Sequence, residues 1–411
     1  MTASLTRRFL DGLQQAAASG LRLGLAVSGG GDSMAMLHLA ADAKLAVRAV
    51  TLDHGVRPDA AAEAVLVGVE CARLGIGHDI LQWQGWKGQG NLQDQARRAR
   101  RTLIAEWAVQ HDIGVVTLAH TRDDLAETFL MRLGRGAGVD GLSAMSAAWQ
   151  GNGITWLRPL LTASRGELRS YLRSKAAIWV EDPSNENTRF DRIKARKAIA
   201  TLGPLGITAE RLAEVAGHLA EARDTLEAAT DLAAQLGLQA KAGSLRLDRA
   251  CLAGQMPEIR RRLVQRAIGW IAPSDYGPRG AALQQLLDRL AEGKSGVLAG
   301  CRFVIQPTDI AIFREAKAVE GITAQPGALW DGRWQVSGPF PEGSEIKALG
   351  AGLLLCANWR ATGLIRAELQ SSPAVWQSGR LIAAPLAGFG PEFSAKPLPG
   401  ATGLHHSAIV H

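Results

Sequence analysis

The chain has 411 residues, a net charge of +7, 47% hydrophobic and 21% charged residues: too long for one compact core, and balanced as a globular chain rather than a disordered one. Cys71, Cys251, Cys301 and Cys356 form no CxxC pair, which excludes a disulfide framework or a zinc knuckle and points to thiols in a reducing compartment. No apolar run approaches the ~20 residues of a membrane span and no apolar core follows Arg7 and Arg8, so the expectation is a cytoplasmic protein with no membrane partner.

The chain opens on a helical stripe of Leu5, Phe9, Leu13 and Ala16. Apolar strands are expected at 23–27, 46–52, 78–83 and 113–119, with helices between them near 32–43, 59–74, 91–110 and 122–134. The third helix is the clearest, with Leu92, Ala96, Ala99 and Leu103 on one face. Such alternation predicts an α/β, Rossmann-like, doubly wound parallel sheet whose ligands bind at the carboxyl ends of strands. Three polar clusters fall at those ends: Ser28–Ser33, Asp53–Arg57 and His120–Asp124.

A glycine-rich run and the short strand WLRPLL follow, then a helix announced by Ser164 and Glu167 at capping-box spacing. Leu212, Val215, Leu219, Ala222, Leu226, Ala229, Ala233 and Leu236 mark a long helix, read as part of a small bundle and apolar enough to allow a homodimer. Helices are expected from Pro257 and over 279–292, a hairpin over 295–314, and short strands from about 318 onward. These shifts divide the chain into a nucleotide-binding domain at 1–203, a mainly helical domain at 204–317 and a small β-rich region at 318–411.

The chemistry begins at SGGGDS, residues 28–33. Gly29, Gly30 and Gly31 allow a tight turn that brings backbone N–H groups close to an anion, and the following helix N-terminus adds a positive dipole. Ser28 and Ser33 can donate to phosphate oxygens, but no P-loop lysine follows. Asp32 would repel phosphate unless a cation intervenes, which points to Mg²⁺. In AHTRDD, Thr121 and Asp124 have capping-box spacing, and acids in a first helical turn also describe a well-capped helix. Asp123 and Glu127, four apart, share a face at a strand end, where carboxylates hold Mg²⁺ or an ammonium group. His54 and Arg57 follow the second strand and can reach a nucleotide; Arg97 and Arg101 share one face of the third helix and suit phosphate.

The ordered set SGGGDS, DHGVR, GNLQDQARRAR, AHTRDDLAETFLMRLGRGAGVDGLSAM and EDPSNENTRFDR resembles the tRNA(Ile)-lysidine synthases, within the N-type ATP pyrophosphatases or PP-loop superfamily. The likeness covers about residues 20–200 and departs from the family at Ile193, where asparagine is common. It implies ATP-dependent ligation of L-lysine to C2 of the wobble cytidine in the CAU anticodon of tRNA(Ile). An adenylated cytidine is the intermediate, and AMP and pyrophosphate are released. The product reads AUA instead of AUG and carries isoleucine instead of methionine.

The resemblance also implies roles. ATP would contact Ser28, Gly29, Gly30, Gly31, Asp32, Ser33, His54 and Arg97. Asp32, Asp123, Asp124 and Glu127 would serve catalysis, with Asp32 and Asp123 near Mg²⁺. Arg101, Arg192 and Arg196 would bind tRNA, and Arg165, Arg169, Arg173, Lys175, Lys194, Lys197 and Arg260–Arg262 are further phosphate candidates. The nearest alternative is a tRNA thiolase on the same ATP loop, which needs catalytic cysteines or a CxxC-held cluster that this chain lacks.

Overall fold

The computed structural model describes residues 2–14, 20–53, 55, 60–83, 92–181, 191–272, 274 and 277–398. The chain divides into two compact units, one reaching to Arg223 and the other starting at Asp224.

The first unit opens with α1 (Thr2–Asp11), whose Leu5 and Phe9 are buried. Four strand–helix pairs follow: β1 (Arg22–Ala26) and α2 (Gly31–Asp42), β2 (Val47–Asp53) and α3 (Ala60–Arg73), β3 (Gly77–Gln82) and α4 (Leu92–Gln110), β4 (Ile113–Leu118) and α5 (Arg122–Leu133). Every end lies within one residue of the expectation from apolar periodicity. A hairpin of β5 (Ala148–Gly151) and β6 (Ile154–Leu157) leads to α6 (Arg165–Ser174) and α7 (Asp191–Leu202).

The sheet order is β3-β2-β1-β4-β6-β5. Pairing is parallel from β3 through β6, and β5 closes the edge antiparallel to β6. The order reverses at β1, so the loop after β1 and the turn after β4 open side by side at the carboxyl edge. Leu25 and Val27 on one side and Met34, Leu37 and Leu39 of α2 on the other bury completely against each other. That packing fixes the direction in which α2 leaves the sheet. Ile193 is likewise buried, so the position that departs from the family pattern is a packing residue in α7.

A helix α8 (Ala209–Gly237) carries the chain across the division. Its expected apolar stripe is only partly used: Leu212 and Ala233 are buried, whereas Val215, Leu232 and Leu236 are exposed. The second unit holds a five-stranded antiparallel sheet of order β7-β8-β11-β10-β9, from β7 (Leu238–Lys241), β8 (Ser244–Asp248), β9 (Gly296–Leu298), β10 (Cys301–Ile305) and β11 (Asp309–Arg314). The helices α9 (Arg249–Gly254), α10 (Pro257–Ile271) and α11 (Gly280–Ala291) accompany it, and Leu263, Ile268, Leu283, Phe303 and Ile312 form its core. The stretch read as mainly helical thus also carries a sheet, of which the sequence had signalled only the 295–314 part. Beyond Thr323 lie a four-stranded antiparallel sheet and a two-stranded one.

The arginines of α10 are not an open phosphate face. Arg262 and Arg266 are buried, and both pair with Glu227 of α8; Arg266 also reaches Asp231 and Arg262 also reaches Glu258. Glu227 and Asp231 lie one turn apart on α8 and supply the counter-charge that periodicity alone does not reveal. Among the described residues no helix is long and apolar enough to cross a membrane.

Candidate active site

Ser28 to Gly30 make the turn from β1 into α2. Gly29 has φ +84°, a conformation that costs an L side chain energy and leaves glycine as the natural occupant. The backbone carbonyl of Gly29 accepts from Val180 N at 2.9 Å, which ties the loop to the chain before the EDPSN motif. Ser33 is buried and braces the turn: its hydroxyl donates to the Gly30 carbonyl at 3.0 Å and accepts from Ser28 N at 3.1 Å, with Ser28 Oγ at 3.2 Å. The N-terminus of α2 has no side-chain cap, so its first N–H groups are available to an anion.

The turn after β4 starts α5 with the expected capping box. Asp124 Oδ2 accepts from Thr121 N and Thr121 Oγ1, each at 2.9 Å, and Thr121 Oγ1 accepts from Asp124 N at 3.3 Å. A second capping box, Ser164 with Glu167, starts α6 and places Arg165 at its first helical position. Here the four acidic residues singled out by sequence converge on one arginine. Arg165 Nη2 donates to Asp124 Oδ1 at 2.8 Å, Nη1 to Glu127 Oε1 at 3.1 Å and Nε to Asp32 Oδ2 at 3.3 Å. Its backbone N donates to Asp123 Oδ2 at 2.8 Å. Arg196 Nε of α7 donates to the same Glu127 Oε1 at 2.8 Å.

Asp124 therefore does both things the sequence allowed: it caps a helix and faces the site. Arg165 and Arg196 were expected to meet tRNA phosphate; in the structure both donate to Glu127, and the Arg196 side chain stays 39% exposed. The signal for Arg165 was present, since a capped helix start right after a strand places its first residue at the carboxyl edge.

The electrostatics are uneven. Burial raises the Asp32 pKa to about 6, with Asp124 adding to the rise and Arg165 opposing it. Burial also pushes Asp124 up, but the Arg165 guanidinium and the Thr121 backbone N–H hold it below the ordinary carboxylate range. Arg165 is raised despite its burial, because Asp124, Glu127 and Asp32 all favour its charge. Glu127 is 1% exposed, and its Oε2 is buried with no hydrogen-bond partner.

Beside the acids lies a group of cations with little counter-charge among the described residues. Burial, then Arg97, Arg101 and Arg192, lower Arg100 to about 10. Burial and Arg97 also lower Arg101. Arg97 and Arg192 are exposed, and Arg101 is half-buried with its Cζ 5.9 Å from the Trp149 ring centroid. His120, a strand-end residue given no role from sequence, and Arg158 from WLRPLL belong to this group. The His54 and Arg57 candidates and Asp182–Arg189 of the EDPSN motif lie outside the described residues.

The chemistry of the donor set fits Mg²⁺ carried on a nucleotide. Asp32 is a desolvated carboxylate whose ion pair to Arg165 is long, so a second cation would favour its charged form. Among the described residues no group of three His, Cys, Asp or Glu side chains forms a cage. Magnesium usually takes one or two carboxylates and completes its shell with phosphate oxygens and water.

The family model for the PP-loop domain matches residues 1–202. A tRNA(Ile)-lysidine synthase of Ruegeria pomeroyi is 47% identical over 397 residues, covering 95% of this chain and 94% of the relative. That of Zymomonas mobilis is 38% identical over 283 residues, 68% of this chain and 84% of its own. That of Wolbachia pipientis wMel is 35% identical over 327 residues, 76% of each.

Proposed function

The chain belongs to the tRNA(Ile)-lysidine synthase family, and from that premise we propose how its side chains divide the ATP-dependent ligation of L-lysine to the wobble cytidine of tRNA(Ile). The observation that carries the reading is the convergence of Asp32, Asp123, Asp124 and Glu127 on Arg165, next to an uncapped helix N-terminus.

ATP binds with its β and γ phosphates at Gly29–Gly31 and the first N–H groups of α2, helped by Ser28, Ser33, His54 and Arg97. Asp32 and Asp123 would hold Mg²⁺, which would supply positive charge to offset that of the departing pyrophosphate. Arg101, Arg192 and the exposed part of Arg196 meet the anticodon-loop backbone, whose unstacked bases are read in single-stranded form. The cytosine C2 oxygen attacks the α phosphorus and pyrophosphate leaves. Adenylation turns a poor leaving group into a good one.

The second step needs a neutral amine, and free lysine has a side-chain pKa near ~10.4. Glu127 receives the ammonium through its unpartnered Oε2, with Asp124 beside it, and the carboxylates accept its proton. The amine attacks C2, the C2–O bond breaks and AMP departs. The thiolase alternative loses ground on the thiols themselves: burial pushes Cys71 and Cys301 up to about 12, far from a reactive thiolate. The same reading takes the enzyme as cytoplasmic and uses Leu232 and Leu236 of α8 as exposed apolar positions of a homodimer.

Purified protein with ATP, Mg²⁺, labelled lysine and a tRNA(Ile) transcript bearing CAU tests the reaction. Stable label in the RNA is expected, and none with a UAU transcript. Pyrophosphate release without label would keep adenylation and refute lysine as the nucleophile.

A further inference from the structure

Arg158 follows β6, and the reaction above gives it no part. Its side chain is buried, at 6% exposure, yet the partners that hold it are neutral. Nη1 donates to the Ser146 carbonyl at 2.5 Å, and Cζ lies 4.0 Å from the centroid of Trp149, which stacks on Trp156 across the β5–β6 hairpin. Nε donates to Nδ1 of His120 at 3.1 Å. Burial, then the neighbouring Arg101, Arg97, Arg132 and Arg100, lower the Arg158 pKa to about 9. A buried guanidinium among other cations costs stability, so its retention calls for another reason.

That reason lies in His120. Guanidinium nitrogens only donate, so Nδ1 of His120 must accept, and the proton of the neutral ring sits on Nε2. Among the described residues, the charges that act most on the ring are Arg158, Asp124, Arg100 and Arg192: three cations against one carboxylate. Burial first and Arg158 second push the imidazole down to about 3. We propose that Arg158 is a positioning residue that locks His120 as a neutral Nε2–H donor, so that the ring offers the substrate a hydrogen bond and never acts as the base for the incoming amine. The occupied lone pair leaves that proton to the carboxylates. The Nε2–H faces an acceptor oxygen of the adenylated cytidine with the same strength across the working pH range. The identity of the substrate rests on the ligation reading; the tautomer does not.

The test is nuclear magnetic resonance of protein carrying ¹⁵N-histidine, with His120 assigned among the 9 histidines by its loss in His120→Gln. His120 should show the neutral Nε2–H tautomer and no titration between about pH 5 and 8. Arg158→Met frees Nδ1. Lysine incorporation should then fall about 10–100-fold at neutral pH, in the range seen when outer partners of a functional histidine are removed. The pH profile of Arg158→Met should gain an ionisation on its acid side, higher than in the wild type but below that of an ordinary histidine, because burial, Arg100 and Arg192 remain. Arg158→Lys should remove the new ionisation. So should Arg158→Met combined with His120→Gln, because the glutamine amide donates without titrating. An Nδ1–H tautomer or a titrating His120 in the wild type would overturn the proposal, as would a folded Arg158→Met with the wild-type pH profile. If Arg158→Met does not fold, the wild-type and Arg158→Lys spectra decide alone. If the wild type incorporates no lysine, the ligation reading fails while the spectrum still decides the tautomer.

Discussion

Replacing Asp32 by asparagine should stabilise the substrate-free protein while abolishing its activity. Asp32 sits in the first turn of α2, where the helix dipole favours an anion. Burial and Asp124 nevertheless carry its pKa to about 6, against an ordinary 3.8, even with Arg165 pulling the other way. Each factor of ten in proton affinity is worth about 1.4 kcal/mol, so the gap amounts to about 3 kcal/mol. The folded value lies above the unfolded one, so the folded chain holds this proton more tightly. The charge therefore destabilises the fold in full above pH about 6, and the penalty fades as pH falls toward 3.8, where both states are protonated. Asparagine carries no charge and removes the penalty. The expected gain is up to about 3 kcal/mol near pH 8, or about 6–12 °C in melting temperature for a unit of this size. Calorimetric melting without ATP at pH about 8, 6 and 4 measures it, beside pyrophosphate release with tRNA and ATP. The variant should melt higher at the top of the range, converge with the wild type at the bottom, and release no pyrophosphate. Destabilisation at high pH, or a gain that ignores pH, would refute the idea that Asp32 is a carboxylate short of a cation.

Two further predictions concern the ligand surfaces. Gly29→Ala places a Cβ on a residue at φ +84° with the nearest side-chain atom, Val67 Cγ2, 3.5 Å away; the cost is conformational, about 1–2 kcal/mol, and melting should show it together with a raised KM for ATP. An unchanged melting temperature would mean that the turn does not need its left-handed residue. Arg101→Ala and Arg192→Ala, each removing one phosphate contact, should each flatten the slope of log binding constant against log salt by about 0.7–0.9 in a tRNA filter-binding series. Unchanged slopes would move the RNA backbone away from these two arginines.

The sheet and its helices were legible because apolar periodicity reports which face of each element is buried, and here the strand and helix periods alternate cleanly. The two capping boxes were legible because Thr121 to Asp124 and Ser164 to Glu167 are contacts within one turn. What periodicity withholds is the partner of a polar face. The arginines of SRGELRSYLR read as candidates for tRNA phosphate, yet Arg165 lies on carboxylates 38 to 133 residues away along the chain. On α10 the same blindness ran the same way: Arg262 and Arg266 looked free because their acids sit on another helix. His120 and Arg158 were missed for a different reason. His120 stands in the strand-end cluster, but its acids drew the roles; Arg158 stands alone in an apolar run; and the hydrogen bond that joins them exists only once the turn after β4 and the end of β6 lie side by side.

The site pairs its acids with Arg165 and Arg196 but leaves its charges unevenly matched. Asp32 lacks enough positive charge at one end, while the arginines around His120 repel one another at the other. Closer pairing would relieve both at once, and among the described residues it is not made. On the proposed reading, a nucleotide triphosphate carrying Mg²⁺ would relieve them together, its cation serving Asp32 and its phosphates the arginines. An anion alone serves only the arginines and adds repulsion at Asp32. Cooperation between the two ends therefore follows from the charge arrangement itself, without any movement of the chain. The energy withheld from the free protein returns when the nucleotide–metal complex and the RNA backbone are both in place, which is when the C2 oxygen can be adenylated.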